Sequence, residues 1–125
     1  MNDSIRRLPD TELEVMQAIW SCDPPVSKSD IEAIVYSTHP MAETTLQTLL
    51  TRLSEKGFLS VVIRKRKKYY SPLISRENYQ ISQSKSFFQK VCGGNISAFA
   101  NALCEGGLTS EEVAELRKLL EEGDL

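Results

Sequence analysis

No apolar stretch in this chain approaches the ~20 residues that a membrane-spanning helix needs. Its first residues, Met1-Asn2-Asp3-Ser4-Ile5-Arg6-Arg7, lack the apolar run of a secretory signal. A cytoplasmic protein with no membrane partner is therefore expected. Cysteine is scarce: Cys22, Cys92 and Cys104 are odd in number and form no Cys-x-x-Cys pair, which argues against both a disulfide framework and a thiolate metal site. Buried free thiols are expected, with a redox sensor built on Cys92 or Cys104 as the alternative. The sole histidine, His39, sits beside Pro40 in a turn, and no Gly-x-Ser-x-Gly, His-Glu-x-x-His or phosphate-loop spacing occurs. A Ser-His-Asp arrangement would need His39 as its base, whereas a turn or capping role suits the position better. We expect no enzyme, no cofactor, no metal and no small-molecule substrate.

What is present fits an ordinary globular chain. With 125 residues, 41% hydrophobic and 26% charged, there is room for one domain, or for a compact domain with an appendage. The net charge of −2 conceals an uneven distribution. Residues 1–40 carry 3 Lys/Arg against 7 Asp/Glu, residues 41–80 carry 8 against 3, and residues 81–125 carry 4 against 7. The middle third is basic, and attraction to phosphates follows local rather than net charge.

Periodicity and punctuation divide the chain. From Pro9 to Cys22, Leu13, Met16, Ile19 and Trp20 recur at helical spacing, with Asp10 or Thr11 to cap the start and Glu14 to complete a Thr11-x-x-Glu14 capping box. Asp23-Pro24-Pro25 stops that helix. Ser27 offers an N-cap to a second helix through Ser37, which carries Ile31, Ile34 and Val35 on one stripe. Thr38-His39-Pro40 breaks the chain again, and a third helix runs from about Ala42 to Lys56, ended by Gly57. The β-rich run Phe58–Ile63 leads into Arg64-Lys65-Arg66-Lys67-Lys68 and then Tyr69-Tyr70-Ser71-Pro72-Leu73, which predicts a hairpin with a cationic tip. Helices are further expected over about Ser75–Val91 and Asn95–Cys104, and a last one opens with the capping box Thr109-x-x-Glu112 and carries Val113, Leu116, Leu119 and Leu120 on an apolar stripe. The expected fold is mainly α with a small β-hairpin: a winged helix-turn-helix over residues 1–74 and a C-terminal helical dimerisation segment over 75–125.

Three helices and a hairpin in this order suit a groove-entering third helix beside a backbone-reaching wing. In that helix Leu46, Leu49, Leu50 and Leu53 must face the core. The opposite face then carries Thr44, Thr48, Thr51 and Glu55, with Thr45 and Arg52 on one flank and Gln47 on the other. Threonine is a mediocre helix former, so its abundance there points to contact with base edges; a merely solvated face is the alternative. Arg64, Lys65, Arg66, Lys67 and Lys68 repel one another unless a polyanion offsets the cost, the alternative being a solvated loop that resists edge pairing. Phe87, Phe88, Phe99, Leu103, Val113, Leu116, Leu119 and Leu120 offer apolar surface for a homodimer, or fold back on the winged domain. A winged-helix module that binds only protein is the rival reading, and it predicts no special charge on the wing.

Leu13-Glu14-Val15-Met16-Gln17-Ala18-Ile19-Trp20 and Thr45-Leu46-Gln47-Thr48-Leu49-Leu50-Thr51-Arg52-Leu53-Ser54-Glu55-Lys56-Gly57 resemble the BlaI/MecI penicillinase-repressor family. The likeness continues through Tyr69-Tyr70-Ser71-Pro72, Ser84-Lys85-Ser86-Phe87 and Leu108-Thr109-Ser110-Glu111-Glu112. It implies a homodimeric repressor on a palindromic double-stranded operator, controlling β-lactamase or penicillin-binding-protein genes. Unrelated genes with another inducing signal are the alternative. Two departures stand out. Well-known members carry lysines near the start of the recognition helix, where this chain has Thr44 and Gln47. Family repressors are also inactivated by a sensor-linked protease at an Asn-Phe bond, and the matching pair here is Ala102-Leu103. The paired C-terminal cysteines of copper-responsive relatives are absent.

Overall fold

Proline at position 9 decides where the first helix begins. In the computed structural model, which describes residues 5–90 and 92–122 with side chains through Leu116 and at Lys118, Pro9 takes the N-cap position and α1 runs Asp10–Trp20. Thr11 is therefore already helical, and the expected Thr11–Glu14 capping box does not form, for α1 has no side-chain cap. Instead the Pro9 carbonyl accepts the Leu13 N–H at 2.9 Å, and Asp10 and Glu12 supply negative charge to the first turn.

The next two helices begin and end as their caps dictate. Ser27 Oγ accepts the Asp30 N–H at 3.2 Å to open α2 (Lys28–Thr38), and His39 closes it by donating its N–H to Val35 O at 2.7 Å. Helix α3 (Glu43–Glu55) ends at Lys56. There Gly57, at φ +83°, lets its own N–H reach Ser54 O and the Phe58 N–H reach Leu53 O, the paired bonds of a left-handed C-terminal cap. Phe58 and Leu53 are both buried, so the chain turns from helix to strand over an apolar contact.

Three antiparallel strands follow the order β1-β3-β2: β1 (Val26–Ser27), β2 (Leu59–Arg64) and β3 (Lys67–Pro72). The hairpin was legible in the sequence, but β1 was not. It is only two residues long, squeezed between Pro25 and a helix cap, and pairs Val26 with Tyr70 and Ser27 with Tyr69. Val15, Met16 and Ile19 of α1, Ile31 and Val35 of α2, the leucines of α3, Leu59 and Tyr70 form one buried core. At its edge lies an ion pair: Lys56 Nζ, at the end of α3, is 2.6 Å from Glu12 Oε1 on α1, whose side chain is 4% exposed against 23% for the lysine.

The chain forms two compact units, Met1–Gln83 and Ser84–Leu125, and the division between them lies inside α4 (Arg76–Lys90). The reason is Tyr79: buried, it accepts the Leu8 N–H on its hydroxyl at 2.9 Å and sets its ring 5.8 Å from Trp20 and 5.9 Å from Phe58. The second unit holds the rest of α4, α5 (Ile96–Glu105) and α6 (Ser110–Glu122). Asn95 caps α5, and Thr109 and Glu112 exchange hydrogen bonds at 2.9 and 3.1 Å as the expected capping box. Helix α5 buries none of its residues. That also corrects the expectation of buried thiols: all three cysteines are free, but Cys104 on α5 is exposed and Cys22 and Cys92 are only half-buried.

Candidate nucleic-acid interface

Every leucine of the α3 stripe is inside: Leu46, Leu50 and Leu53 have no exposed surface and Leu49 has 6%. Geometry then turns Thr44, Thr45, Thr48, Thr51 and Arg52 outward, all exposed, with Gln47 half-buried at the flank. Local bonds order this face. Thr48 Oγ1 donates to Thr44 O at 2.9 Å, and Gln47 Nε2 donates to Thr51 Oγ1 at 3.3 Å. A threonine hydroxyl whose proton is held by its own helix presents lone pairs and a methyl, which suits base-edge donors and the thymine methyl.

The wing grows more exposed toward its tip. Leu59 is 2% exposed, Val61 40% and Ile63 65%; β1 pairs with β3 only at Tyr69 and Tyr70, so the last two rows, Ile63–Lys68 and Arg64–Lys67, project as a two-stranded tip. Arg64 pairs with Lys67, leaving a two-residue turn of Lys65 (φ 50°) and Arg66 (φ 66°). Turns of this kind favour Asn-Gly, and an L-residue with a bulky side chain costs about 1 kcal/mol or more in the left-handed region. Two cations thus stand adjacent in a conformation that neither favours.

Of the five wing cations, the fold brings three into a common groove. Arg66, Lys67 and Lys68 line it together with Gln47 of α3 and with Ser27, Lys28 and Ser29 at the start of α2, enclosing about 320 Å³. Arg64 and Lys65 are exposed but do not line it. The α2 start reaches the wing because β1 pairs with β3, which sets Ser27 opposite Tyr69, next to Lys68. The positive end of the α2 dipole adds to the four cations, so the groove suits an anion. The Ser27 cap is legible in the sequence but the part of Lys28 and Ser29 in the groove is missed there, since nothing local ties them to the hairpin.

Glu43, the first residue of α3, was likewise missed. Its Oε1 accepts from Lys28 Nζ at 3.3 Å, and its side chain is 73% exposed. The nearby Tyr36 hydroxyl, shielded and without a hydrogen-bond partner, titrates above the usual tyrosine value, chiefly through desolvation and then through the charges of Glu32 and Glu43, with Lys28 opposing. Among the described residues no group of three or more His, Cys, Asp or Glu is placed to hold a metal ion, and no helix is long and apolar enough to cross a membrane.

In the second unit, Phe99 packs against Phe87 at 6.2 Å and Phe88 at 5.4 Å between ring centroids. Phe87 is nevertheless 42% exposed, and Phe88, Phe99, Leu103, Val113 and Leu116 are only half-buried. Leu119 and Leu120 lie outside the described side chains. Ala102 and Leu103 sit near the end of α5, where their carbonyls accept from Gly106 and Leu108.

An outward threonine face on a third helix, packed by its leucines and flanked by a cationic hairpin, defines a winged helix-turn-helix DNA-binding protein. The sequence profile of the penicillinase repressor family matches residues 8–122. The penicillinase repressor of Bacillus licheniformis is 32% identical over 119 residues, covering 94% of this chain and 92% of that one. The methicillin resistance regulatory protein MecI of Mammaliicoccus sciuri is 32% identical over 127 residues, at 96% and 98% coverage. The solution structure of the DNA-binding domain of the repressor BlaI aligns at TM-score 0.54 and 32% identity, over 60% of this chain and 90% of that one. The Bacillus licheniformis BlaI monomeric form in complex with the blaP half-operator aligns at 0.51 with the same identity and coverage. The chain belongs to the penicillinase repressor family and is a DNA-binding repressor of winged-helix architecture.

Proposed function

We propose that the protein acts in the cytoplasm as a homodimer on a palindromic operator. Each α3 enters a major groove through Thr44, Thr45, Gln47, Thr48, Thr51 and Arg52, and the groove between the α2 start and Arg66–Lys68 grips a flanking phosphate. Arg64 and Lys65 reach backbone beyond it. The observation that carries this reading is the inward set of Leu46, Leu49, Leu50 and Leu53, which leaves the threonine face outward beside that cationic groove. The half-exposed Phe87, Phe88, Phe99, Leu103, Val113 and Leu116, with Leu119 and Leu120, form the dimer seam. Such a dimer spaces two recognition helices about one helical turn of DNA apart or slightly more.

The regulated genes are those for a β-lactamase or a penicillin-binding protein, and derepression comes from a sensor-linked protease cutting at Ala102–Leu103. Because that bond lies in a hydrogen-bonded helix, the last turns of α5 must unwind before a protease can take the chain in extended form. The test is a footprint and gel shift on the DNA upstream of the protein's own gene at two salt concentrations. A protected palindrome whose affinity falls steeply with salt is expected, with a log–log slope of about −0.9 per phosphate neutralised. Salt-independent binding, or no sequence preference, refutes the reading.

A further inference from the structure

Glu43 is out of keeping with its surroundings. It opens the helix whose first residues approach base edges in a helix-turn-helix, and it stands beside Lys28, whose groove also holds Arg66, Lys67 and Lys68. A carboxylate on a surface that attracts phosphates weakens that attraction. Its place at a helix N-terminus makes it favourable in the free protein, but any residue of the first turn could serve that end without projecting 73% exposed from the leading end of the recognition helix. Lys28 engages Oε1 alone, and among the described residues Oε2 has no hydrogen-bond partner.

The chemistry of the major groove limits what such an oxygen can meet. Guanine presents two acceptors and thymine an acceptor and a methyl, both unfavourable to a carboxylate. Adenine offers an amino group next to the N7 acceptor, and only cytosine presents a donor without an adjacent acceptor of its own. We propose that Glu43 is a specificity-determining residue that reads cytosine, accepting the N4–H with its free carboxylate oxygen. Lys28 keeps its contact with the other oxygen and offsets repulsion from the neighbouring phosphate. The acidic residue sacrifices general affinity for DNA and gains discrimination at one base pair of each half-site.

This inference rests on the operator-binding reading, and the experiment separates the two. The full chain and its Glu43→Gln and Glu43→Ala variants each select from a pool of randomised duplexes, and affinities are then measured on the selected sites. Wild type is expected to select cytosine at one position per half-site and to lose about tenfold in affinity when that cytosine becomes thymine. Glu43→Gln should shift the preference there to adenine, whose N6 and N7 a carboxamide contacts together. Glu43→Ala should accept any base at that position, with tighter binding to unselected DNA. If both variants select the same sequence as wild type and merely bind everything more tightly, Glu43 acts only through its charge and the inference is overturned. Wild type selecting no sequence at all overturns the operator reading and this one with it. The measurement of wild type on cytosine- and thymine-bearing sites needs no variant to fold.

Discussion

The ion pair between Glu12 and Lys56 offers a sharp test of how the winged unit is held together, because its two ends differ in access to water. The carboxylate is 4% exposed and the lysine side chain 23%. Replacing Lys56 by Met keeps the aliphatic stem but strands a carboxylate that cannot reach solvent. Breaking a buried pair in this way costs about 3–5 kcal/mol, and the partial exposure of the lysine places the loss at the low end, about 3 kcal/mol. Replacing Glu12 by Gln leaves an ammonium that can extend along its stem to water, so the loss should be nearer 1 kcal/mol. For a unit of this size each kcal/mol corresponds to roughly 4–8 °C in melting temperature, which gives a drop of roughly 12–24 °C for Lys56→Met and 4–8 °C for Glu12→Gln. Trp20 is the assay, being the single tryptophan and packed in this unit against Tyr79 with its indole N–H on Ile74 O. Its fluorescence follows the unfolding of residues 1–83 irrespective of the helices beyond. Equal losses, or a larger loss for Glu12→Gln, would refute the argument from differential burial.

Further outcomes follow from the site. Replacing Arg66, Lys67 and Lys68 together by Ala should weaken binding to every DNA sequence and flatten the salt slope by about 0.9 per lost phosphate contact in titrations at several salt concentrations; Arg64 and Lys65, outside the groove, should matter less per residue. Thr48→Ala should chiefly relax operator preference, which a comparison of operator and unrelated duplex affinities measures. Gly57→Ala meets no atom within 4 Å but keeps φ +83°, so only backbone strain opposes it, and Trp20-monitored unfolding should register a loss of about 1–2 kcal/mol. Leu116→Asp should give a folded monomer with poor operator affinity; an undiminished dimer in sedimentation would remove Leu116 from the seam.

How much of this was legible beforehand depended on the reach of each signal. The leucine stripe of α3, the Ser27 cap, the Gly57 terminus, the Thr109–Glu112 box and the cationic hairpin all rest on bonds or periodicities spanning a few residues, and sequence alone determined them. The threonine face followed as their geometric complement. Pro9 displaced the Thr11 box because two local start signals competed, and the Leu8 N–H held by the distant Tyr79 hydroxyl fixes the chain just ahead of the earlier one. Other features needed the tertiary structure. A two-residue β1 has no period to detect; Glu12 and Lys56 lie 44 positions apart; Leu8 and Tyr79 lie 71 apart. Lys28 met the wing cations only when β1 docked on β3 and carried the α2 start to the hairpin, and it met Glu43 only through the packing of α2 beside α3. Local hydrogen bonding chose the elements, whereas the burial of side chains distant in sequence chose which charges would meet around the groove.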